Sequence, residues 1–286
     1  TVGTDIYSLC KELFHINRSI TGDGVRETLN IIKRKLPRLK IHEIPSGTKC
    51  FDWTIPKEWN IREAYIIDPD GQKIIDFNDY NLHVVGYSTP VDKLINLEEL
   101  NKHLYSLPEL PDAIPYVTSY YREMWGFCLP HNQREKLKNG KYKVYIDSSL
   151  EDGNLTYAEL LVKGESKEEI FLSTYICHPS IANDNLSGLA LVTYLAKYIE
   201  RLNNRKYSYR IIYVPETIGS IMYLSNNLGH LKKNVVAGFN VACVGDDNNH
   251  SYLPSKQGNT LADKVALHVL KHLGHNFKEY SFLNRG

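Results

Sequence analysis

An imidazole and a carboxylate, His178 and Asp184, stand six residues apart in the stretch 171–188, FLSTYICHPSIANDNLSG. The segment leading into them, 170–176, is apolar, β-branched or aromatic apart from Ser173, and predicts a strand. It breaks at Cys177-His178-Pro179, where proline fixes the backbone and removes a donor. Leu186, Leu189, Val192, Leu195, Ala196 and Ile199 then recur at helical spacing, so Asp184-Asn185 sits at a helix N-terminus. A strand end and a helix start thus bring both groups to one edge of a sheet, the edge at which open α/β folds bind ligands. Each has an ordinary alternative: Asn-Asp-Asn before a helix serves as a cap, and a His before Pro fills a loop. Glu216 is the third candidate. It emerges from the apolar run 211–214 at a corresponding strand end, where the alternative is a solvated surface carboxylate.

The elements that must position these groups follow from the pattern on either side. Strands at 157–162, 170–176, 209–214 and 235–244 alternate with helices at 186–202, 222–228 and 261–273, an α/β arrangement. The last helix has a capping box, Thr260 with Asp263, and Gly274 as its stop. Its apolar stripe is expected to face the core and to carry His268 and His272 with it. Two amphipathic helices open the chain, one on Ile6, Leu9, Cys10, Leu13 and Phe14, the other on Val25, Leu29, Ile32 and Leu36, stopped by Pro37. Between them and the α/β part the character changes. A hairpin over 64–77 turns at Asp68-Pro69-Asp70-Gly71, strands are expected at 82–87 and 143–146, and a short helix at 97–105. We read 41–140 as a β-rich subdomain inserted into a core made of 1–40 and 141–286. The aromatic stretch 119–135 is expected to fill that subdomain's own core, the alternative being that it leans over the cleft.

Composition narrows the function classes. The chain has 286 residues, 42% of them hydrophobic, and a net charge of +1 without a long single-sign run, which argues against nucleic acid or an anionic membrane as partner. No apolar run approaches transmembrane length, and the first residues lack a signal-peptide layout. Cys10, Cys50, Cys128, Cys177 and Cys243 are odd in number and scattered, which favours reduced thiols in a cytoplasmic setting. No P-loop, Gly-x-Gly-x-x-Gly or Gly-x-Ser-x-Gly stretch occurs, which argues against nucleotide binding and a serine nucleophile.

The order strand, His, Ala-Asn-Asp-Asn-x-Ser-Gly, helix resembles the zinc aminopeptidases of the aminopeptidase Y type. That resemblance implies a three-layer α/β/α zinc-peptidase-like core with a mostly parallel mixed sheet, and, residue by residue, His178 and Asp184 as zinc ligands. Pro215-Glu216-Thr217-Ile218-Gly219-Ser220 resembles the family's Glu-Glu-x-Gly-(Leu)-x-Gly-Ser motif, in which the first Glu is general base and the second binds zinc. A single Glu stands here. We assign Glu216 the role of base, because a hydrolytic zinc site needs a carboxylate to take the proton of water. Ala242 occupies the place of a second-metal Asp, and Ser180 that of an Asp that orients the histidine, so the resemblance implies one zinc rather than two. Asp246 or Asp247 could reach in from the following strand end.

The match is closer to a branch of bacterial aminopeptidase-like proteins often encoded among surface-polysaccharide genes. It rests on Asn17-Arg18-Ser19-Ile20-Thr21-Gly22, Trp125-Gly126-Phe127-Cys128, Cys177-His178-Pro179-Ser180 and Val244-Gly245-Asp246-Asp247, and covers essentially the whole chain. Branch members continue past Arg285-Gly286 to a histidine, which implies a third ligand beyond residue 286; His250, His268, His272 and His275 do not replace it. The chain therefore reads as a fragment that holds zinc weakly and exposes apolar surface, favouring a homo-oligomer or a partner in trans. The implied activity is cleavage of an amide near a free amine in a small peptide or amino-sugar-like substrate. The alternative is an attenuated relative that binds carbohydrate or peptide in surface-polysaccharide biosynthesis.

Overall fold

The computed structural model describes residues 1–246, 248, 250–274 and 276–284; Asp247, His275, Arg285 and Gly286, named above, lie outside the described residues. Helices α1 (Val2–Phe14) and α2 (Asp23–Lys35) open the chain, and β1 (Lys40–Pro45) follows. The chain then builds a second sheet from β2 (Glu58–Ile67), β3 (Lys73–Asp76), β4 (Val91–Asn96) and β5 (Lys141–Glu151). It returns to the first sheet with β6 (Asn154–Val162) and β7 (Glu169–Tyr175). Helix α3 (Gly188–Arg201), β8 (Ser208–Val214), α4 (Ile218–Asn234), β9 (Val235–Asn240) and α5 (Leu261–His272) complete the labelled elements.

The first sheet has the order β1-β6-β8-β7-β9 and is mixed. β7 runs parallel to both β8 and β9, whereas β1 with β6 and β6 with β8 are antiparallel. Its central strand shows why it needs a layer on each face. Ile211, Ile212, Tyr213 and Val214 are all buried although they point alternately to opposite sides. Ile211 and Tyr213 join Leu13, Leu29, Ile32, Leu189 and Val192 in a core under α1, α2 and α3. Ile212 and Val214 join Ile218, Met222 and Tyr223 of α4 in a core on the other face. Helix, sheet and helix make three layers, as the resemblance implied.

The second sheet, β3-β2-β5-β4, is antiparallel throughout and has its own core of Ala64, Ile66, Ile75, Val84, Phe127, Val144 and Ile146. Its last strand, β5, lies wholly beyond the residue-140 boundary chosen from the sequence. The expected hairpin over 64–77 is present, its turn held by Asp68 Oδ1 accepting from the amides of Asp70 and Gln72, each at 2.9 Å. The expected strand at 82–87 is not. Asn81–His83 is a 3₁₀ turn, and Tyr87 stands at φ 69°, which aims its ring at Trp59 (5.7 Å) and its hydroxyl at Thr21 (2.5 Å).

Other elements differ from the sequence pattern too: the short helix expected over 97–105 ends at Asn101, and Leu104–Tyr105 is a short strand. Helix α4 runs well beyond 222–228, because Asn226, Asn227 and Gly229 blur an apolar period without breaking the helix. β9 ends at Asn240, short of residue 244, and Cys243 turns the chain away at φ 52°. Helix α5 has its capping box but turns its apolar stripe outward: Leu261, Val265, Val269 and Leu273 are exposed, as are His268 and His272, whose rings lie 4.3 Å apart. Among the described residues no helix is long and apolar enough to cross a membrane.

Candidate active site

β7 and β8 end side by side because they are parallel and in register, with Tyr175 beside Val214. The residues that follow each strand are therefore neighbours. His178, buried at 7% exposure, places Nε2 3.4 Å from Oε2 of the half-exposed Glu216. Cys177, fully buried, accepts the Glu216 amide on Sγ at 3.2 Å and has Sγ 3.7 Å from His178 Nδ1. Ligand atoms of Cys177, His178 and Glu216 all lie within 4.8 Å of one another. Asp184 stands outside that trio but is tied to the same strand end, since the Tyr175 hydroxyl donates to its Oδ1 at 2.7 Å.

The Asn residues flanking Asp184 act differently from a helix cap. Asn185 Nδ2 donates to Thr174 Oγ1 (2.9 Å) and to the Tyr175 carbonyl (3.0 Å), while its Oδ1 accepts from the Cys243 amide (3.2 Å). Asn183 Oδ1 accepts from the Gly245 amide at 2.8 Å, and Ser187 Oγ from the Val244 amide at 3.0 Å. The motif staples the end of β7 to the chain that follows β9, and leaves the Asp184 carboxylate facing the side chains of Tyr175 and Cys243. Gly188 is required by this staple, because a Cβ there would lie 2.4 Å from the Val241 carbonyl oxygen. Ser180, Thr217 and Cys243, each beside one of the three converging segments, have positive φ without being glycine. Strained backbone of this kind concentrates where a structure holds groups for a task.

Beneath the site lies Arg18, buried at 2% exposure. Its Nε donates to the His178 carbonyl at 3.0 Å and its Nη1 to the Leu13 carbonyl at 2.5 Å, while Nη2 has no hydrogen-bond partner among the described residues. Burial lowers its pKa to about 10, so it stays charged at neutral pH, and no carboxylate pairs with it among the described residues. Burial also lowers the His178 pKa from its ordinary 6.5, opposed by the charges of Asp184 and Glu216 and assisted by Arg18. The ring is therefore neutral at pH 7. Burial pushes the Cys177 thiol up to about 12.

The loop between β4 and β5 supplies a wall through Tyr116, just ahead of the stretch 119–135 that the sequence reading assigned to the subdomain's own core. Tyr116 lies 5.1 Å from the His178 ring, and its hydroxyl is 2.9 Å from that of Tyr120. Burial holds the pKa of Tyr116 well above the usual phenol value. Trp125 behaves as expected, stacked on His103 at 3.6 Å within the subdomain. Within 119–135 itself, Tyr120 packs on Tyr87 and bonds Tyr116, while Trp125 belongs to the subdomain's core. Sequence reasoning missed Tyr116 and passed over Cys177; the signal for Cys177 was its place immediately before His178. Asp246 is exposed and accepts from the Asn248 amide and side chain, both at 2.8 Å, a turn of its own. Ala242 lies just past the end of β9.

Whether these groups suit zinc is decided by the donor set. A neutral imidazole whose Nε2 makes no hydrogen bond among the described residues, a facing carboxylate, and a second carboxylate anchored at the same strand end are nitrogen and oxygen donors of the kind zinc accepts. They fit.

A family model described as a domain of unknown function, DUF4910, matches residues 7–286. A Clostridium acetobutylicum protein, named for polysaccharide biosynthesis and an aminopeptidase-like domain, is 51% identical over 284 residues. The match covers 99% of this chain, which spans 65% of that relative's length. A crystal structure from the same organism, provisionally described as a peptidase, superposes with TM-score 0.95 at 51% identity over 99% of this chain and 67% of that one. A zinc aminopeptidase from Bacillus subtilis has TM-score 0.64 at 11% identity, over 96% of this chain and 78% of its own. That last likeness is one of fold.

Proposed function

Because the chain belongs to the DUF4910 family and has an aminopeptidase-like fold, we propose that it is a zinc-dependent hydrolase of aminopeptidase type, cleaving an amide next to a free amine. The observation that carries this reading is the meeting of His178 Nε2 and Glu216 Oε2, 3.4 Å apart, beside an Asp184 held by Tyr175. His178 and Asp184 would hold the zinc, which when bound supplies Lewis acidity toward the amide carbonyl. Glu216 is half exposed and free to move a proton: it takes one from the attacking water and returns it to the departing amine. Tyr116 closes one side of the imidazole and limits water there. The proposed substrate is a small peptide or an amino-sugar-like amide.

The test uses aminoacyl 4-nitroanilides with added zinc. Glu216→Gln is expected to retain the metal and lose about 10²–10⁴-fold in turnover. Loss of metal together with turnover would make Glu216 a ligand; near-normal rates would move the role of base elsewhere, to Asp246 first.

One observation favours a second reading, a carbohydrate- or peptide-binding protein acting in surface-polysaccharide biosynthesis. Tyr120 also lines a cavity of ≈170 Å³ with Lys57, Tyr87, Tyr121 and Arg122, an aromatic and cationic surface next to the site. Retention of amino-sugar oligosaccharides by a protein that hydrolyses none of the aminoacyl substrates would favour it.

A further inference from the structure

A histidine that offers Nε2 to a metal must carry its single proton on Nδ1, and something must hold it there. Two atoms near the His178 ring decide the matter. On the Nε2 side, the Glu216 carboxylate oxygen at 3.4 Å is beyond the length of a charge-assisted hydrogen bond. On the Nδ1 side, Cys177 Sγ stands at 3.7 Å, within reach for a bond to sulfur. The nearby Ser180 hydroxyl is committed elsewhere, donating to the Phe14 carbonyl at 3.0 Å. Cys177 is itself fixed: it is fully buried, and its sulfur already accepts the Glu216 amide at 3.2 Å.

We propose that Cys177 is a positioning residue whose sulfur accepts the Nδ1 proton of His178 and the Glu216 amide together, setting the tautomer of one site residue and the backbone of the other. This rests on the reading of His178 as a metal ligand. The high thiol pKa agrees with it, since a neutral sulfur accepts two bonds without adding a charge that would draw a second proton to the ring. The same sulfur links the ends of β7 and β8, so that the imidazole and the carboxylate are indexed to each other through one atom.

The tautomer is read in the metal-free, ¹⁵N-labelled chain by long-range proton–nitrogen correlation, with Glu216→Gln as a control and His178→Gln to assign the signals. The expected spectrum has a protonated Nδ1 and a bare, pyridine-like Nε2. Cys177→Ala should abolish that preference and weaken cobalt(II) binding by roughly 10–100-fold. Cys177→Ser, which keeps an acceptor at the same place, should restore part of both. A protonated Nε2 in the native chain would overturn the proposal, as would Cys177→Ala with the tautomer and cobalt affinity unchanged. A thiolate-to-cobalt charge-transfer band would also overturn it, by making Cys177 a ligand. Should Cys177→Ala not fold, the native spectrum and the serine variant decide. A chain that binds no cobalt but shows the Nδ1 tautomer would refute the zinc reading and leave the role of Cys177 standing.

Discussion

At the scale of single residues, Tyr175 acts on Asp184 as Cys177 acts on His178. Its phenol donates to Asp184 Oδ1 at 2.7 Å, and burial, with that bond, raises the tyrosine's pKa, so that it is a donor at neutral pH. Tyr175→Phe frees the carboxylate to rotate, and we expect about tenfold weaker zinc binding by calorimetry with the fold unchanged. The placement of His178, Asp184 and Glu216 at neighbouring element ends was legible in the sequence because each follows a recognisable strand or precedes a recognisable helix. Tyr116 was not. It reaches His178 from the loop between β4 and β5, and a contact between residues so far apart in the chain leaves no local pattern to read.

At the scale of elements, the capping box of α5 was legible and the orientation of that helix was not. A period of about 3.6 residues locates an apolar stripe but does not say what covers it. Asp263 is the one buried residue of the helix, accepting bonds from Tyr252, Ser255 and Thr260 at 2.6–2.8 Å. Those bonds hold its carboxyl well below the usual carboxylate range despite burial. Asp263→Ala should cost about 1–2 kcal/mol, read as a lower urea midpoint. A second device belongs to the inserted sheet. His83 bonds the Cys128 carbonyl through Nδ1 at 2.8 Å, and burial lowers its pKa from 6.5.

At the scale of the whole molecule, His83 and His178 make the same contribution to pH dependence. Both have folded pKa values depressed by burial. Above their ordinary 6.5 both states are neutral and neither contributes. As the pH falls through 6.5 the unfolded chain takes up protons that the folded one refuses, so stability drops. Urea midpoints of the metal-free chain should therefore be lower at about pH 5.5 than at about pH 7.5, and His83→Gln should reduce the difference. The inserted β-rich part was legible as a change of composition, while its share in the site was hidden in long-range packing. One further consequence follows from the buried Arg18. Its bonds to the carbonyls of Leu13 and His178, together with that from Ser180 to Phe14, leave the end of α1 and the His178 loop no independent way to unfold. In hydrogen exchange the amides of both segments should then lose protection at one shared rate, with the last turn of α1 and the candidate chemistry opening as a single cooperative unit.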